Sequence, residues 1–171
     1  MAGDTGELYL LDTNVFIEAY RRYYGLDLCP GFWDSIAHYC DEGRLLSIDR
    51  VRAEIHEGDA LDEWIKQAPE NLFVSTADEA VVHHYQQLIA NAQADEQFLE
   101  TAKTEFASVA DGWLVAYAAA YDTKIVTHEL RDSEIRRRVP IPNVADWFSI
   151  DCINTFDMLR GLEVQFGWNV D

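Results

Sequence analysis

The chain has 171 residues, long enough to bury roughly 70% of the surface its unfolded form would expose, so one core can form without metal or disulfide staples. Hydrophobic residues at 49% and charged residues at 26% argue against disorder, and the longest uninterrupted apolar run, Trp113 to Tyr121, falls far short of the about 20 residues that a membrane-spanning helix needs. Thirty-one acids against 13 bases leave a net charge of −18, so most of the surface repels nucleic acid; bound cations, a basic partner or a small cationic patch on an acidic body all remain compatible. Cys29, Cys40 and Cys152 are odd in number and lack metal-ligand spacing, which reads as reduced, packed thiols in a cytoplasmic protein without structural zinc. The first residues carry no basic stretch, so no secretory signal is expected.

Leu8 to Leu11 is a short apolar run ending at Asp12, the pattern of a buried parallel strand feeding a helix. Phe16, Ala19, Tyr20 and Tyr23 recur at helical spacing, with Gly25 as the stop. Pro30 opens a second helix carrying Trp33, Ile36, Ala37 and Cys40, and Leu45 to Ile48 reads as a second strand. A helix is expected over 49–57, stopped at Gly58, with another reaching Gln67. Leu72 to Ser75 is the next strand. Val81, Val82, Tyr85, Leu88 and Ile89 mark an amphipathic helix, and 91–103 continues as a polar, weakly anchored helical stretch. Ser108 to Tyr121 is a strong helix, and Lys124 to Thr127 a strand ending at His128 and Glu129. A basic loop, Pro140 and Pro142 follow, and 151–166 is expected to close the chain as one helix.

Strands alternating with helices predict a single α/β domain over 1–171, in three layers, around a short parallel sheet of four to five strands. In such sheets a site lies beyond the carboxyl ends of the strands, which points to Asp12 and Glu129. Glu129 follows Asp111 by 18 residues, one helix and one strand. A chain reversal across that unit returns Glu129 to the edge where Asp111 begins its helix, and Asp12 joins from the neighbouring strand. With Glu54 they form a candidate constellation of four acids. Clustered carboxylates repel unless neutralised, and Mg²⁺ or Mn²⁺ does this with hard oxygen ligands. Such a site can promote phosphodiester hydrolysis without a covalent nucleophile. Each acid also has a plainer reading: Asp12 as a helix cap, Asp111 as a complement to a helix dipole, Glu54 as one surface acid among many.

Four segments carry a family resemblance: Tyr-Leu-Leu-Asp-Thr-Asn-Val-Phe-Ile (9–17), Ala-Asp-Gly-Trp-Leu-Val-Ala-Tyr-Ala (110–118), Lys-Ile-Val-Thr-His-Glu (124–129) and Cys-Ile-Asn-Thr-Phe-Asp-Met-Leu (152–159). In order and spacing the chain resembles a PIN-domain protein, in a branch of unassigned function. The resemblance implies a PIN-like fold and an endoribonuclease using one or two Mg²⁺ or Mn²⁺ ions. It places the family's first acid on Asp12, its helical glutamate on Glu54, its third acid on Asp111 and its fourth, commonly aspartate, on Glu129. It makes Asp12, Asp111 and Glu129 the metal ligands, with Thr13 and Asn14 orienting Asp12 or a water. Glu57 rivals Glu54 for its place, and Asp132 rivals Glu129. Many such relatives are VapC-type toxins, so the expected partners are an RNA substrate, an antitoxin protein and a second copy of the chain, with no membrane.

Between 131 and 138 four arginines stand against Asp132 and Glu134, and Arg136, Arg137 and Arg138 are the RNA-binding candidates; the same loop could instead pair with the protein's own acids. His128 and Glu129 lack the second histidine of a zinc-protease helix and follow a strand, so that reading is rejected. His83 and His84 are adjacent and cannot share one ligand, and Asp12-Thr13-Asn14 lacks the second aspartate of a phosphoaspartate phosphatase. Trp33, Trp64, Trp113 and Trp147 are expected mostly in the core, and Trp168 in a loosely packed tail. The competing class is a non-catalytic PIN-like module that binds another protein; an acidic phosphatase-like hydrolase is a third.

Overall fold

Tyr9, Leu10 and Leu11 are all buried, as are Ile125 and Val126, and strands buried on both faces belong to a parallel sheet covered by helices on each side. The computed structural model describes residues 6–56 and 58–168. β1 (Tyr9–Leu11) leads into α1 (Thr13–Glu18), which continues as a π-helical segment over Ala19–Tyr23. Then come α2 (Pro30–Asp41), β2 (Leu45–Ile48), α3 (Asp49–Glu54), α4 (Ala60–Gln67), β3 (Phe73–Val74), α5 (Glu79–Ala94), α6 (Glu100–Phe106) and α7 (Asp111–Tyr121). β4 (Lys124–Val126), α8 (Ile141–Ala145), a 3-10 turn over Asp146–Phe148, β5 (Cys152–Ile153) and α9 (Thr155–Gly161) complete the order.

The strands form one five-stranded, all-parallel sheet in the order β3-β2-β1-β4-β5, the centre of a three-layer α/β/α fold. The chain works outward from β1 to β3 on one side, then crosses back to β4 and β5 on the other. α1 packs against α3, while α5 packs against α6 and α7, and α7 against α8, as right-handed crossovers with helices on both faces of the sheet require. The direction reverses between β1 and β4, where Leu11 registers with Val126. A crevice opens there beyond the carboxyl ends of both strands. Phe32, Trp33, Ile36 and Leu61 are buried in the core, as are Val81, Leu88, Leu114 and Val115.

Several expected boundaries move. The helix over 49–57 ends at Glu54, because Ile55 takes an extended conformation and is buried, and Gly58 sits at φ +60°. The stretch 91–103 is two helices, parted where Asp95 Oδ1 accepts the Gln97 N–H in a turn. It is also well anchored: Ala92, Phe98, Ala102 and Lys103 are buried. The closing helix over 151–166 is replaced by β5 and a shorter α9. Cys152 and Ile153 pair with Ile125 and Val126, and Asn154 then caps α9 by accepting the Asp157 N–H at 2.9 Å. Trp33 is fully buried, whereas Trp147 is 38% exposed and not core; Trp168 is exposed as expected. Among the described residues no helix is long and apolar enough to cross a membrane.

The arginine-bearing loop after β4 is tied down. The Leu99 N–H donates to the Arg136 carbonyl at 2.9 Å, Gln97 Nε2 to the Ile135 carbonyl at 2.9 Å, and Arg136 Nε to the Gln97 carbonyl at 3.2 Å. The connection between α5 and α6 therefore sets where Arg136 to Arg138 stand.

Candidate functional site

Asp12 ends the sheet and caps a helix at once. Its N–H donates to the Val126 carbonyl at 3.0 Å, continuing the β1–β4 ladder, and its Oδ1 accepts the Thr13 N–H at 2.7 Å. The plainer reading of Asp12 as a cap is thus correct, yet a cap leaves the second oxygen to account for. Oδ2 accepts from Thr127 Oγ1 at 2.8 Å, and Thr127 itself accepts from Asn14 Nδ2 at 3.3 Å and the Glu129 N–H at 3.1 Å. Asn14 Oδ1 takes the His128 N–H at 3.2 Å. The Thr127 hydroxyl uses its one donor and both lone pairs, fixing its direction. Thr127 is the residue the sequence reading passed over, although a threonine ending a buried apolar strand just before Glu129 was the available signal.

Glu54 ends α3 and bridges two helix starts. Its Oε2 accepts from Thr13 Oγ1 at 2.6 Å and its Oε1 from the Ala110 N–H at 2.8 Å, just before α7. Asp111 is the first residue of α7, where the helix dipole favours negative charge. Burial pushes the Asp12 carboxyl up to about 6, with the Glu54 charge adding; the hydrogen bonds from Thr127 and Thr13 and the Arg138 charge oppose it. Burial likewise pushes Asp111 up to about 7, with Asp12, Glu54 and Glu105 adding and Arg138 opposing. Asp12, Glu54 and Asp111, from three separate parts of the chain, thus share one electrostatic environment. The Asp111 side chain makes no hydrogen bond or ion pair with any described residue.

Glu129 stands at the same sheet edge but in a different setting. It pairs with the Arg138 guanidinium through Oε1, and its Oε2 accepts the Ile141 N–H at 2.7 Å. Asp132 shapes a turn instead, its Oδ1 accepting the Glu134 N–H at 2.9 Å. Glu57 lies outside the described residues. His128 completes a cluster of three rings, tilted 5.9 Å from Tyr23 and edge-on 6.3 Å from Phe156, and its Nε2 lies 3.0 Å from Thr155 Oγ1.

A groove of about 1000 Å³ runs from Glu54 and Asp111 past Glu105 to Arg136, Arg137 and Arg138. A second, of about 920 Å³, holds Asn14, Tyr23, His128 and Glu129, and Arg138 lines both. Of the arginines in this loop, Arg131 pairs with Asp146 and Arg138 with Glu129, as the plainer reading of the loop expects, while Arg137 pairs with no described residue. Among the described residues no three histidine, cysteine or acidic side chains stand as a ready-made metal-holding group. The donor chemistry nonetheless fits a hard divalent cation. Asp111 has both oxygens unengaged, and each Asp12 and Glu54 oxygen keeps a lone pair after its hydrogen bond.

A family model described as a domain of unknown function (DUF4411) matches residues 9–166. The chain belongs to the DUF4411 family. That DUF4411 match takes in all five strands and Asp12, Glu54, Asp111 and Glu129. No curated protein and no solved structure matches the chain.

Proposed function

We propose that this DUF4411 protein is a PIN-type endoribonuclease that depends on Mg²⁺ or Mn²⁺. The observation that carries this reading is the convergence of Asp12, Glu54 and Asp111 at the β1/β4 crevice, where burial and mutual repulsion push two of the carboxyls up to about 6 and about 7. A protein tolerates such a cluster when it serves a purpose, and a divalent cation relieves it. Asp12 and Asp111 would hold the ion, with Glu54 beside them. The ion when bound would supply Lewis acidity toward a phosphoryl oxygen. Thr127 and Asn14 aim Asp12, and Glu54 fixes the start of α7 and so the place of Asp111. In the hydrolysis a water oxygen forms the new bond to phosphorus, the bond to the leaving ribose oxygen breaks, and a proton of that water ends on the leaving oxygen. The resemblance to VapC-type toxins extends the proposal to an antitoxin partner and a cytoplasmic setting.

Asp12→Asn keeps the shape of the side chain and removes its charge. Calorimetric titration with Mn²⁺ should show affinity falling by about 100-fold or more, since a ligand and the charge that attracts the ion are lost together. Equal affinity in both proteins would refute the placement of the ion.

The second reading, a non-catalytic module that binds another protein, is favoured by one observation: the charge of Glu129 is already paired with Arg138 inside the protein. The groove arginines separate the two. A protein at −18 cannot attract RNA diffusely, so Arg136 and Arg137 must act locally. In Ca²⁺, with a labelled single-stranded RNA and fluorescence anisotropy across a salt series, the Arg136→Ala/Arg137→Ala double variant should bind more weakly. Its log–log salt slope should be shallower by roughly 0.7 per lost phosphate contact. If the wild type binds no RNA at low salt, the protein-binding reading moves ahead.

A further inference from the structure

By position Glu129 is the fourth acid of a metal site, but its contacts run elsewhere. Both of its oxygens are taken by one short stretch of chain, the Arg138 guanidinium on one side and the Ile141 N–H on the other. The glutamate side chain is 12% exposed and the arginine side chain 53%, so the anchor is buried while the charged fork reaches solvent. Pro140 stiffens the stretch between them. On the other side of Arg138 the backbone is tied through Ile135 and Arg136 to Gln97 and Leu99. Arg138 is therefore fixed from both directions. It lines both grooves, and its charge acts on both Asp12 and Asp111. Arg136 gives only its Nε to the Gln97 carbonyl and Arg137 pairs with no described residue, but neither lines the groove that holds Glu129, so this placement belongs to Arg138 alone among the three.

Charge supports the same conclusion. Fully ionised, the four acids sum to −4; one divalent ion brings them to −2 and Arg138 to −1, so one ion and the guanidinium together leave too little charge to hold a second divalent ion. Glu129 keeps a lone pair on each oxygen as Asp12 and Glu54 do, but its charge alone among them is already balanced by a guanidinium, so a second metal ion there would compete with Arg138.

We propose that Glu129 is the positioning residue for Arg138 rather than a metal ligand, and that the Arg138 guanidinium contacts the substrate phosphate beside a single divalent ion at Asp12 and Asp111. The inference rests on the nuclease reading. A guanidinium presents donors along two edges of a rigid plane. One edge meets Glu129, and the other is free to neutralise charge on the non-bridging oxygens as water adds and the ribose oxygen leaves.

The test combines Mn²⁺ calorimetry with steady-state cleavage of a fluorescein-labelled single-stranded RNA. It uses the wild type, Glu129→Gln, Arg138→Ala and Arg138→Lys, with melting curves to check each fold. The wild type should bind one Mn²⁺. Glu129→Gln should bind one as well, with affinity within about two-fold, where loss of a true ligand or its direct support would cost about 10- to 100-fold. Arg138→Ala should lower kcat by about 100-fold with a smaller change in KM, the expected loss for one donor to a developing charge. Glu129→Gln should lower kcat by about ten-fold, and Arg138→Lys should recover part of the alanine loss, keeping charge without the fork. Loss of Mn²⁺ affinity in Glu129→Gln, two ions in the wild type, or wild-type kcat in Arg138→Ala would each overturn the inference and leave the nuclease reading standing. If Arg138→Ala does not fold, undiminished kcat in Arg138→Lys overturns it instead. A wild type that binds no Mn²⁺, or binds it and cleaves no RNA, overturns both.

Discussion

Asp111→Asn should lower RNA cleavage by about 1000-fold while raising the melting temperature of the metal-free protein at pH 8. The two effects have one cause. Burial and the charges of Asp12 and Glu54 push the Asp111 carboxyl up to about 7, and no described residue offers its side chain a hydrogen bond. Ionising it in the folded protein opposes both desolvation and repulsion, so removing the charge removes a destabilising group. The amide has nearly the same volume and leaves the packing at the start of α7 undisturbed. A carboxyl at about 7 in the fold and near 4 in the unfolded chain carries a penalty of roughly 4 kcal/mol at alkaline pH, as an upper bound. Recovering half of it would raise the melting temperature by about 4–8 °C in a chain of this size. The activity loss follows because the destabilising charge is the one that would hold the cation, the usual trade between stability and function. Thermal melts in EDTA at pH 8 and cleavage assays in Mn²⁺ check the pair of outcomes. A variant that melts lower than the wild type would show Asp111 to be a structural acid. One that still cleaves RNA would place the chemistry elsewhere.

The acids were legible in the sequence because topology alone brings them together. A parallel strand ending in Asp12, and a helix-strand unit opening on Asp111 and closing near Glu129, have little choice but to meet at one sheet edge. What each acid touches was not legible. Nothing in the spacing says that Glu129 turns toward Arg138 and Ile141 while Asp111 stays bare, because that depends on where the loop over 127–140 lies. Its place is set by hydrogen bonds to Gln97 and Leu99, more than 30 residues earlier. Thr127 escaped for a related reason: a hydroxyl at a strand end has many ordinary uses, and only the position of Asp12 Oδ2 selects this one. β5 was hidden because two residues carry no measurable period. Cys152 and Ile153 are a strand only because the edge of β4 is there to pair with them.

The metal-free protein should melt at a higher temperature at pH 5.5 than at pH 8, and saturating Mn²⁺ should erase most of the difference. The folded state holds the Asp12 carboxyl at about 6 and that of Asp111 at about 7, against values near 4 in the unfolded chain. Between pH about 4 and 7 the native state therefore binds more protons than the unfolded state. Stability falls as pH rises through that window, and the penalty is complete above the folded values. The two carboxyls act on each other, so the loss is one broad transition belonging to the pair. Ordinary surface carboxylates, with values near 4, have finished titrating by pH 5.5 and add little slope above it. His128 works the other way: burial holds its ring below the usual value, so acidification favours the unfolded chain through that group. The acids outweigh it, being two groups with larger shifts. A bound divalent ion supplies the positive charge that protons otherwise provide. At a hundred times its dissociation constant it also adds about 2.7 kcal/mol through linkage. Melting curves at half-unit steps from pH 5.5 to 8, in EDTA and in Mn²⁺, give the profile, and the Asp12→Asn/Asp111→Asn double variant should flatten it in EDTA and lose the response to Mn²⁺. A wild-type profile that is flat without metal, or one whose slope survives in the double variant, would show that the crevice acids do not carry the strained charge on which the metal site depends.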